Sequence, residues 1–451
     1  MLKCLSTVYG RRINMSAFLN LGMISTLNSV VSGAKLLEFF STPYAIGLYV
    51  AILMILVATL AGCVLLGLHL VRKNTEDASV YALKNSKFDP LDSESRFSQL
   101  KKIDEEQKDH VSELYDSASL SDICDRFRNF AAGELGLYYN IKDIRRFIAG
   151  MGLSKLILLR GISGTGKTSL AYAAGEFFGN PSTIVPIQPM WKERSDMIGY
   201  FNEFTKKFNE TTMLCKLYEA GGREDIYITV LDEVNIARIE YYFAEFLSLL
   251  ELPDSSRRHL DVVSDSWSSD PERIENGKIL LPDNMWFVGT ANNDDSTFAI
   301  SDKVYDRAAI IDLDRKSEPF TVTSHGYCHI SYEELRRLFA AAESSGSLSH
   351  ENREKLARLD EYLTEVFRIS FGNRIMKQTE SYIPIMIACG GSELDALDDI
   401  LARKILRKLE QLSPTFVKNE ADALAALLDE LFGIENLECC SAYIRRLKRN
   451  V

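Results

Sequence analysis

The sequence predicts an α/β fold preceded by membrane-spanning helices. Two observations predict the α/β fold. A short apolar strand at residues 155–159 runs into a glycine-rich loop and a helix, and a second one at residues 226–231 ends in two acidic residues. The third observation is the apolar run at residues 44–71, which predicts the membrane segment.

Length and composition limit the classes of protein that fit. The 451 residues suffice for two or three domains, and the net charge of −11 argues against a general binder of nucleic-acid backbones. The eight cysteines are scattered without a recurring CxxC pair, so neither a disulfide framework nor a zinc site is indicated. His325, Cys328 and His329 lie close together, but no further ligand group accompanies them, and we interpret the stretch as an ordinary loop. We expect a reduced, cytosolic main body.

The N-terminal region reads as a membrane anchor. Residues 44–71 carry no charged side chain apart from the weakly basic His69, and they exceed the roughly 20 apolar residues that a bilayer-spanning helix needs. Residues 15–34 are also uncharged, although several serines and asparagines soften them. A buried core helix is the alternative for residues 44–71, but core helices of this length usually carry a polar stripe.

Basic residues flank both apolar stretches and favour a hairpin. They are Lys3, Arg11 and Arg12 before the first stretch, and Arg72 and Lys73 after the second. Because positive residues prefer the cytoplasmic side, two crossings place both groups in the cytoplasm, whereas a single crossing, the alternative, misplaces one of them. The sequence predicts a membrane anchor over residues 1–73 in the inner or plasma membrane, a polar linker over 74–118 and a cytoplasmic body thereafter.

The first strand opens into a phosphate-binding loop. The run GISGTGKTSL fits the pattern GxxxxGK[ST], with a strand before it and a helix after it. Glycines let backbone N–H groups approach the phosphates, and the helix N-terminus adds partial positive charge. We expect Lys167 to reach the β- and γ-phosphates and Thr168 to bind Mg²⁺. The residues predicted to line the nucleotide are Gly161, Ser163, Gly164, Thr165, Gly166, Lys167, Thr168 and Ser169.

The second strand supplies the acidic half of the site. Asp232 and Glu233 follow residues 226–231 directly. We expect Asp232 to hold Mg²⁺ through its water shell and Glu233 to act as the general base on the attacking water. A structural helix cap is the alternative for such a pair, but a phosphate loop one strand away favours catalysis.

A third strand, in NMWFVGT, ends at Asn292, and an isolated Arg307 follows it. We predict that Asn292 lies between the phosphate loop and the Asp232 strand, where its amide can orient the hydrolytic water. Arg307 is predicted to reach the nucleotide of a neighbouring subunit and to stabilise the charge of phosphoryl transfer. A surface ion pair with Asp302 or Asp306 is the alternative for Arg307.

Taken together, these motifs resemble the AAA+ ATPases, and among them the McrB-like branch of the dynein-related and MoxR-like clade. The resemblance covers residues 120–408, and its most specific pieces are GISGTGKTSL, QPMWKERSDMIGYF, LDEVNIARIEYYFAEFLSLLE, LPDNMWFVGTANNDDSTF and SDKVYDRA. It implies the Walker A and Walker B roles for the two motifs, a sensor role for Asn292 and an arginine-finger role for Arg307. Arg374, in FGNRIMKQ, would be the second sensor, which contacts nucleotide.

The resemblance also implies an architecture and partners. The fold would be a P-loop module with a five-stranded parallel sheet over residues 119–320, followed by a helical lid over 321–451. The assembly would be a homo-hexamer that uses ATP or GTP with Mg²⁺. Its partner would be a separate effector protein, such as a nuclease, in antiviral defence.

Two departures from the family pattern refine this expectation. GTP-using relatives carry Asn-Thr-Ala-Asp after the sensor strand where this chain has NNDD, so we expect ATP rather than GTP. No module that reads methylated DNA precedes the motor, so direct recognition of nucleic acid by this chain is not indicated. Two other functions stay open: a MoxR-type chaperone that remodels proteins at the membrane, and a non-catalytic switch that controls assembly.

Overall fold

The computed structural model describes residues 95–108, 114, 117–292, 297–323, 326–434 and 436–449. These residues belong to one compact unit, Pro90–Val451. The predicted membrane helices lie outside the described residues. Within the described part of the chain, no helix combines the length and the apolar character that a membrane crossing requires.

A five-stranded sheet forms the centre of the structure, and all of its strands are parallel. The strands are β1 (Leu156–Gly161), β2 (Thr183–Pro186), β5 (Tyr227–Asp232), β9 (Met285–Asn292) and β10 (Ala309–Asp312), in the spatial order β10-β1-β9-β5-β2. The third predicted strand, β9, therefore lies between the strand that leads into the phosphate loop and the strand that ends in Asp232. The prediction of a five-stranded parallel sheet is confirmed.

Helices cover both faces of this sheet because its side chains alternate between two apolar cores. Ile157 and Leu159 of β1 point into one core, and Leu156 and Leu158 point into the other. The first core contains α2 (Leu120–Leu135), α3 (Ile141–Leu153) and α4 (Lys167–Phe177), and the second contains α5 (Arg194–Ile198), α6 (Thr212–Ala220), α7 (Ile239–Tyr242), α8 (Ala244–Leu250) and α9 (Asp302–Tyr305).

Two small antiparallel sheets extend the second side. One is the hairpin of β3 (Gly199–Asn202) and β4 (Lys207–Glu210). The other has three strands, β6 (His259–Asp261), β7 (Ile274–Glu275) and β8 (Lys278–Leu280), in the order β6-β8-β7. This second sheet lies immediately before β9 in the sequence.

Residues 95–108, predicted as part of the polar linker, pack against the main body. They contain α1 (Gln99–Gln107), and Phe97 and Leu100 are fully buried in the second core. The carboxylate of Glu210 accepts hydrogen bonds from the backbone N–H groups of Ser98, Gln99 and Leu100 at 2.8–2.9 Å. A carboxylate at this position satisfies N–H groups that have no partner within the helix.

The C-terminal region is helical, as predicted. Its elements are α10 (Tyr332–Ser345), α11 (His350–Phe367), α12 (Gly372–Ala388), α13 (Glu393–Ile400), a π-helix (Leu401–Ile405), a 3₁₀-helix (Leu406–Gln411), α14 (Pro414–Phe432) and α15 (Glu438–Arg449). The predicted boundary after residue 320 falls between β10 and α10.

Candidate functional site

The loop after β1 has the backbone shape that its glycines allow. Gly161 and Gly166 have φ values of 147° and 90°, in the region that favours glycine. A Cβ on Gly161 would lie 2.3 Å from the carbonyl oxygen of Leu313, so this position also lacks space for a side chain. The buried Lys167 opens α4, and its Nζ donates hydrogen bonds to the carbonyl oxygens of Gly161 and Ile162 at 3.1 and 2.8 Å. The loop is therefore a compact turn with its lysine folded into it.

Asp232 is held by two hydroxyl groups at the end of β5. Thr168 Oγ1 and Thr290 Oγ1 each donate to Asp232 Oδ1 at 2.8 Å. Thr168 and Asp232 are thus brought together as the sequence predicts, and they form a pair of oxygen ligands that suits Mg²⁺, which binds few protein groups and keeps several waters. The described residues contain no group of three or more His, Cys, Asp or Glu that could hold a metal ion.

Thr290 is a site residue that the sequence prediction missed. It lies on β9, two residues before Asn292 and on the same face of the strand, and it is only 2 % exposed. Besides donating to Asp232, its Oγ1 accepts a hydrogen bond from the backbone N–H of Glu233 at 2.9 Å. A polar residue two positions before Asn292, in an otherwise apolar strand, was the available signal.

Glu233 has an unusual backbone conformation. Its φ and ψ are 56° and 52°, in the left-handed region that non-glycine residues rarely adopt. Such a conformation costs on the order of 1–3 kcal/mol and is found at functional sites when the surroundings enforce it. Here it turns the chain sharply after β5, and Glu233 Oε1 lies 3.5 Å from Asn292 Nδ2. The predicted general base and the predicted sensor are therefore neighbours.

Asn292 ends β9 directly beside the start of the phosphate loop. In the register of the sheet it is the partner of Gly161. Asn235, which the sequence prediction also missed, donates from Nδ2 to the carbonyl oxygen of Asn292 at 2.8 Å and to Thr297 Oγ1 at 2.9 Å. The carboxyl ends of β1, β9 and β5 thus bring the loop, the amide and the two carboxylates together.

Arg307 lies at the opposite end of the sheet, where the parallel strands begin. It comes just before β10, and its carbonyl oxygen accepts a hydrogen bond from Ser154 Oγ, close to the start of β1, at 2.7 Å. The six residues of β1 span about 20 Å, which separates this end from the phosphate loop of the same chain. The alternative ion pair with Asp302 or Asp306 is not the one found, because the guanidinium of Arg307 binds Glu251 at 2.7 Å.

Arg374 lies beside Arg307 and not beside the phosphate loop of its own chain. It is near the start of α12, and its guanidinium binds the other oxygen of Glu251 at 2.6 Å. The structure therefore does not bring Arg374 to the phosphate loop of its own chain. The sequence predicted that Arg374 lies on a helix, but it did not predict at which end of the sheet this helix lies.

A cavity of about 870 Å³ lies at this end, and several charged side chains line it. They are Lys155, Glu251, Arg258, Asp283, Asp306, Arg307, Arg374 and Lys377. Arg258 and Asp283 form an ion pair of 2.9 Å. Lys155 Nζ lies 3.4 Å from the centroid of the Trp286 ring, and burial lowers the pKa of Lys155 to about 7.

A second cavity, of about 920 Å³, lies between the body and the C-terminal helix α15. Its lining includes Tyr139, Asn140, Asp314 and Phe320 from the body and Arg446 from α15. Tyr139 Oη donates to the carbonyl oxygen of Gly166 at 3.0 Å, and burial raises the pKa of Tyr139 well above its usual range. Tyr139 is therefore the residue that links the lining of this cavity to the phosphate loop.

Comparisons with known proteins find only distant likenesses. No family model matches the sequence, and no curated protein matches it. Among solved structures, a proposed ATPase from Cytophaga hutchinsonii is similar at 13 % identity and a TM-score of 0.43, over 68 % of this chain and 92 % of that one. A full-length MCM homologue from Methanopyrus kandleri is similar at 10 % identity and a TM-score of 0.35, over 64 % of this chain and 61 % of that one. Likenesses this distant say nothing about activity.

Proposed function

We propose that this chain is an AAA+-type nucleoside-triphosphate hydrolase that uses Mg²⁺ and takes ATP in preference to GTP. One observation carries the proposal. The carboxyl ends of three adjacent parallel strands hold a phosphate-binding loop, the amide of Asn292 and the carboxylates of Asp232 and Glu233 in one place. Ligands bind at the carboxyl ends of strands in open α/β sheets, because helix N-termini and loops converge there.

Each residue then has a defined part in the reaction. The loop amides and Lys167 would neutralise the phosphates, and Thr168 and Asp232 would hold Mg²⁺, which would supply charge stabilisation at the transferred phosphoryl group. Glu233 accepts the proton of the attacking water, and Asn292, whose Nδ2 lies 3.5 Å from Glu233 Oε1, orients that water. Catalysis here is positioning and electrostatics, with no covalent intermediate.

We further propose that the active unit is a hexameric ring. The loop and Arg307 lie at opposite ends of the same sheet, so one chain cannot bring both to one nucleotide. If the loop end of each subunit faces the Arg307 end of the next, every nucleotide receives a loop from one subunit and an arginine from the other. In a closed ring, every subunit has a neighbour on both sides, so every phosphate loop meets an Arg307.

The N-terminal residues support a proposal about location and output. We propose that residues 1–73 anchor the ring to the inner or plasma membrane with the body in the cytoplasm, and that hydrolysis drives movement of a partner protein, such as a nuclease in antiviral defence. The uncharged run at residues 44–71 motivates the anchor. Sedimentation with membranes by the full chain, and release by deletion of residues 1–73, tests it. Affinity capture under hydrolysis tests for the partner.

Substitutions in the loop and at the general base test the hydrolytic function. We expect Lys167→Ala to abolish nucleotide binding, whereas Glu233→Gln should bind ATP with unchanged affinity and hydrolyse it about 10²–10⁴-fold more slowly. The measurements are the Kd of a fluorescent ATP analogue and steady-state phosphate release with Mg²⁺. The exposed Lys192 serves as the control, since Lys192→Ala should leave both quantities unchanged. Near-normal turnover in Glu233→Gln would contradict the assignment of the base.

A further inference from the structure

One carboxylate joins two arginines that come from separate parts of the chain. Glu251, at the end of α8, binds Arg307 through Oε2 at 2.7 Å and Arg374 through Oε1 at 2.6 Å. Arg307 belongs to the turn before β10, and Arg374 to the first turns of α12. Each carboxylate oxygen therefore takes one guanidinium group, and Glu251 is the shared contact.

Stability does not account for this arrangement. The side chains of Arg307, Glu251 and Arg374 are 24 %, 33 % and 52 % exposed. Ion pairs at this exposure contribute little to folding, because solvent screens them and the side chains lose conformational freedom. What the carboxylate does supply is geometry. Two guanidinium groups would repel each other at close range, and an acceptor between them offsets that repulsion and fixes their separation.

The surrounding cavity suits a phosphate chain. After the ion pair of Arg258 with Asp283 is set aside, the charged lining includes Arg307, Arg374 and Lys377 against Glu251 and Asp306. Lys377 follows Arg374 by three residues on α12, so the two project from the same side of that helix. The cations at this end thus exceed the anions, as a ligand with several negative charges requires.

We infer that Glu251 is a positioning residue that aligns Arg307 and Arg374 so that both reach the triphosphate on the neighbouring subunit as one unit. The inference rests on the proposed function, since it needs a nucleotide at that interface. Glu233 and Glu251 lie at the two ends of one segment, residues 233–251, which contains α7 and α8. One short stretch of chain therefore carries the base for its own nucleotide and the alignment of the arginines for the next.

Turnover by the assembled full chain tests this role. We expect Glu251→Gln to lower kcat about 10–100-fold, since small displacements of positioning groups cost up to roughly 10²-fold, with the Kd for nucleotide unchanged. Glu251→Asp keeps the charge but is too short to reach both arginines. Its kcat should fall between that of the wild type and that of Glu251→Gln. The matched control is Glu245→Gln, because Glu245 lies on the same helix, is also 33 % exposed and pairs with Arg194 at 2.8 Å. Its kcat should stay within about twofold.

A combination of variants separates positioning from a merely structural role. In an Arg307→Ala/Arg374→Ala background, Glu251→Gln should cause no further loss of kcat, because no guanidinium remains to be aligned. A wild-type kcat in Glu251→Gln, or an equal further loss in that background, would overturn the inference alone. A wild-type chain that shows no Mg²⁺-dependent hydrolysis would overturn the proposed function and the inference with it.

Discussion

At the scale of single residues, the hydroxyl of Thr290 determines how the acidic pair is presented. It donates to Asp232 at 2.8 Å and accepts from the N–H of Glu233 at 2.9 Å, so one oxygen holds both the proposed metal ligand and the backbone of the proposed base. The strained backbone of Glu233, with φ of 56°, needs such support, because an unsupported residue would relax to negative φ. Thr290 therefore acts through its neighbours and does not need to touch the nucleotide.

Thr290→Val tests this support. The substitution keeps the shape but removes the hydroxyl, and it leaves the N–H of Glu233 without its partner. We expect a loss of about 1–3 kcal/mol in the free energy of unfolding and a fall in kcat of about 10–100-fold. Thr290→Ser should restore most of both quantities, because it keeps the hydroxyl. Thr229 of β5 is equally buried, and Thr229→Val should leave kcat unchanged. Full activity in Thr290→Val would show that Glu233 is held by other contacts.

At the scale of elements, a buried arginine just before α1 helps to join this segment to the three-stranded sheet. The side chain of Arg96 is fully buried, and its guanidinium binds Asp270 at 2.8 Å and Asp265 at 2.7 Å. It also lies 4.5 Å from the centroid of the Trp267 ring. Asp270 is only 5 % exposed, so removal of the arginine would leave a buried carboxylate without its counter-charge. This contact adds to the burial of Phe97 and Leu100 and to the hydrogen bonds of Glu210 in packing the polar segment on the body.

Arg96→Ala should therefore weaken the attachment of α1. We expect a loss of about 3–5 kcal/mol in the free energy of unfolding, measured by urea denaturation, since breaking a buried ion pair costs about this much. Hydrogen exchange of the backbone amides in α1 should accelerate in the same variant. The control is Arg257→Ala at an exposed position, which should change stability by less than about 0.5 kcal/mol. Unchanged exchange in α1 would mean that its other contacts, among them those of Glu210 and Asp104, hold it without Arg96.

At the scale of the whole molecule, the two ends of the sheet strands carry what we propose to be complementary halves of one site. The phosphate loop, Asp232, Glu233 and Asn292 lie at the carboxyl end, and Arg307, Arg374 and Glu251 lie at the other. Helices and apolar side chains cover the two faces of the sheet, whereas charged side chains lie at both ends of its strands. In the proposed ring, hydrolysis then belongs to the interface between subunits and not to one chain.

Mixing two inactive variants tests this arrangement. Arg307→Ala should bind ATP normally but hydrolyse it about 10³–10⁵-fold more slowly, the value of an arginine finger in other phosphoryl-transfer enzymes. Lys167→Ala should not bind ATP, although its own Arg307 is intact. In mixed rings, an intact loop can meet an intact Arg307 on its neighbour, so phosphate release should rise above that of either variant alone. Absence of any rise, in rings shown to contain both variants, would mean that Arg307 does not act on a neighbouring nucleotide.

The sequence by itself determined the local parts of this protein. The glycines of residues 161–166 followed by Lys167, the apolar runs that end at Asp232 and Asn292, and the helical periodicity of residues 120–150 all depend on neighbours in the chain. Such signals reflect backbone freedom and side-chain alternation over a few residues. For that reason the strands and the phosphate-binding turn could be predicted without coordinates, whereas the parallel sheet and the helical C-terminal region were expected from the family resemblance.

Only the tertiary structure decided which distant side chains meet. Thr290 and Asn235 entered the site, Arg374 joined Arg307 at Glu251, and residues 95–108 packed on the body. The periodicity of the sequence does not predict any of these contacts. Each depends on which end of the sheet an element reaches once the core has formed. The pairing of Arg307 with Glu251 illustrates the reason. Asp302 and Asp306 are nearer to Arg307 in sequence. However, α8 brings Glu251 to the end of the sheet where β10 begins, and proximity in space decides the partner.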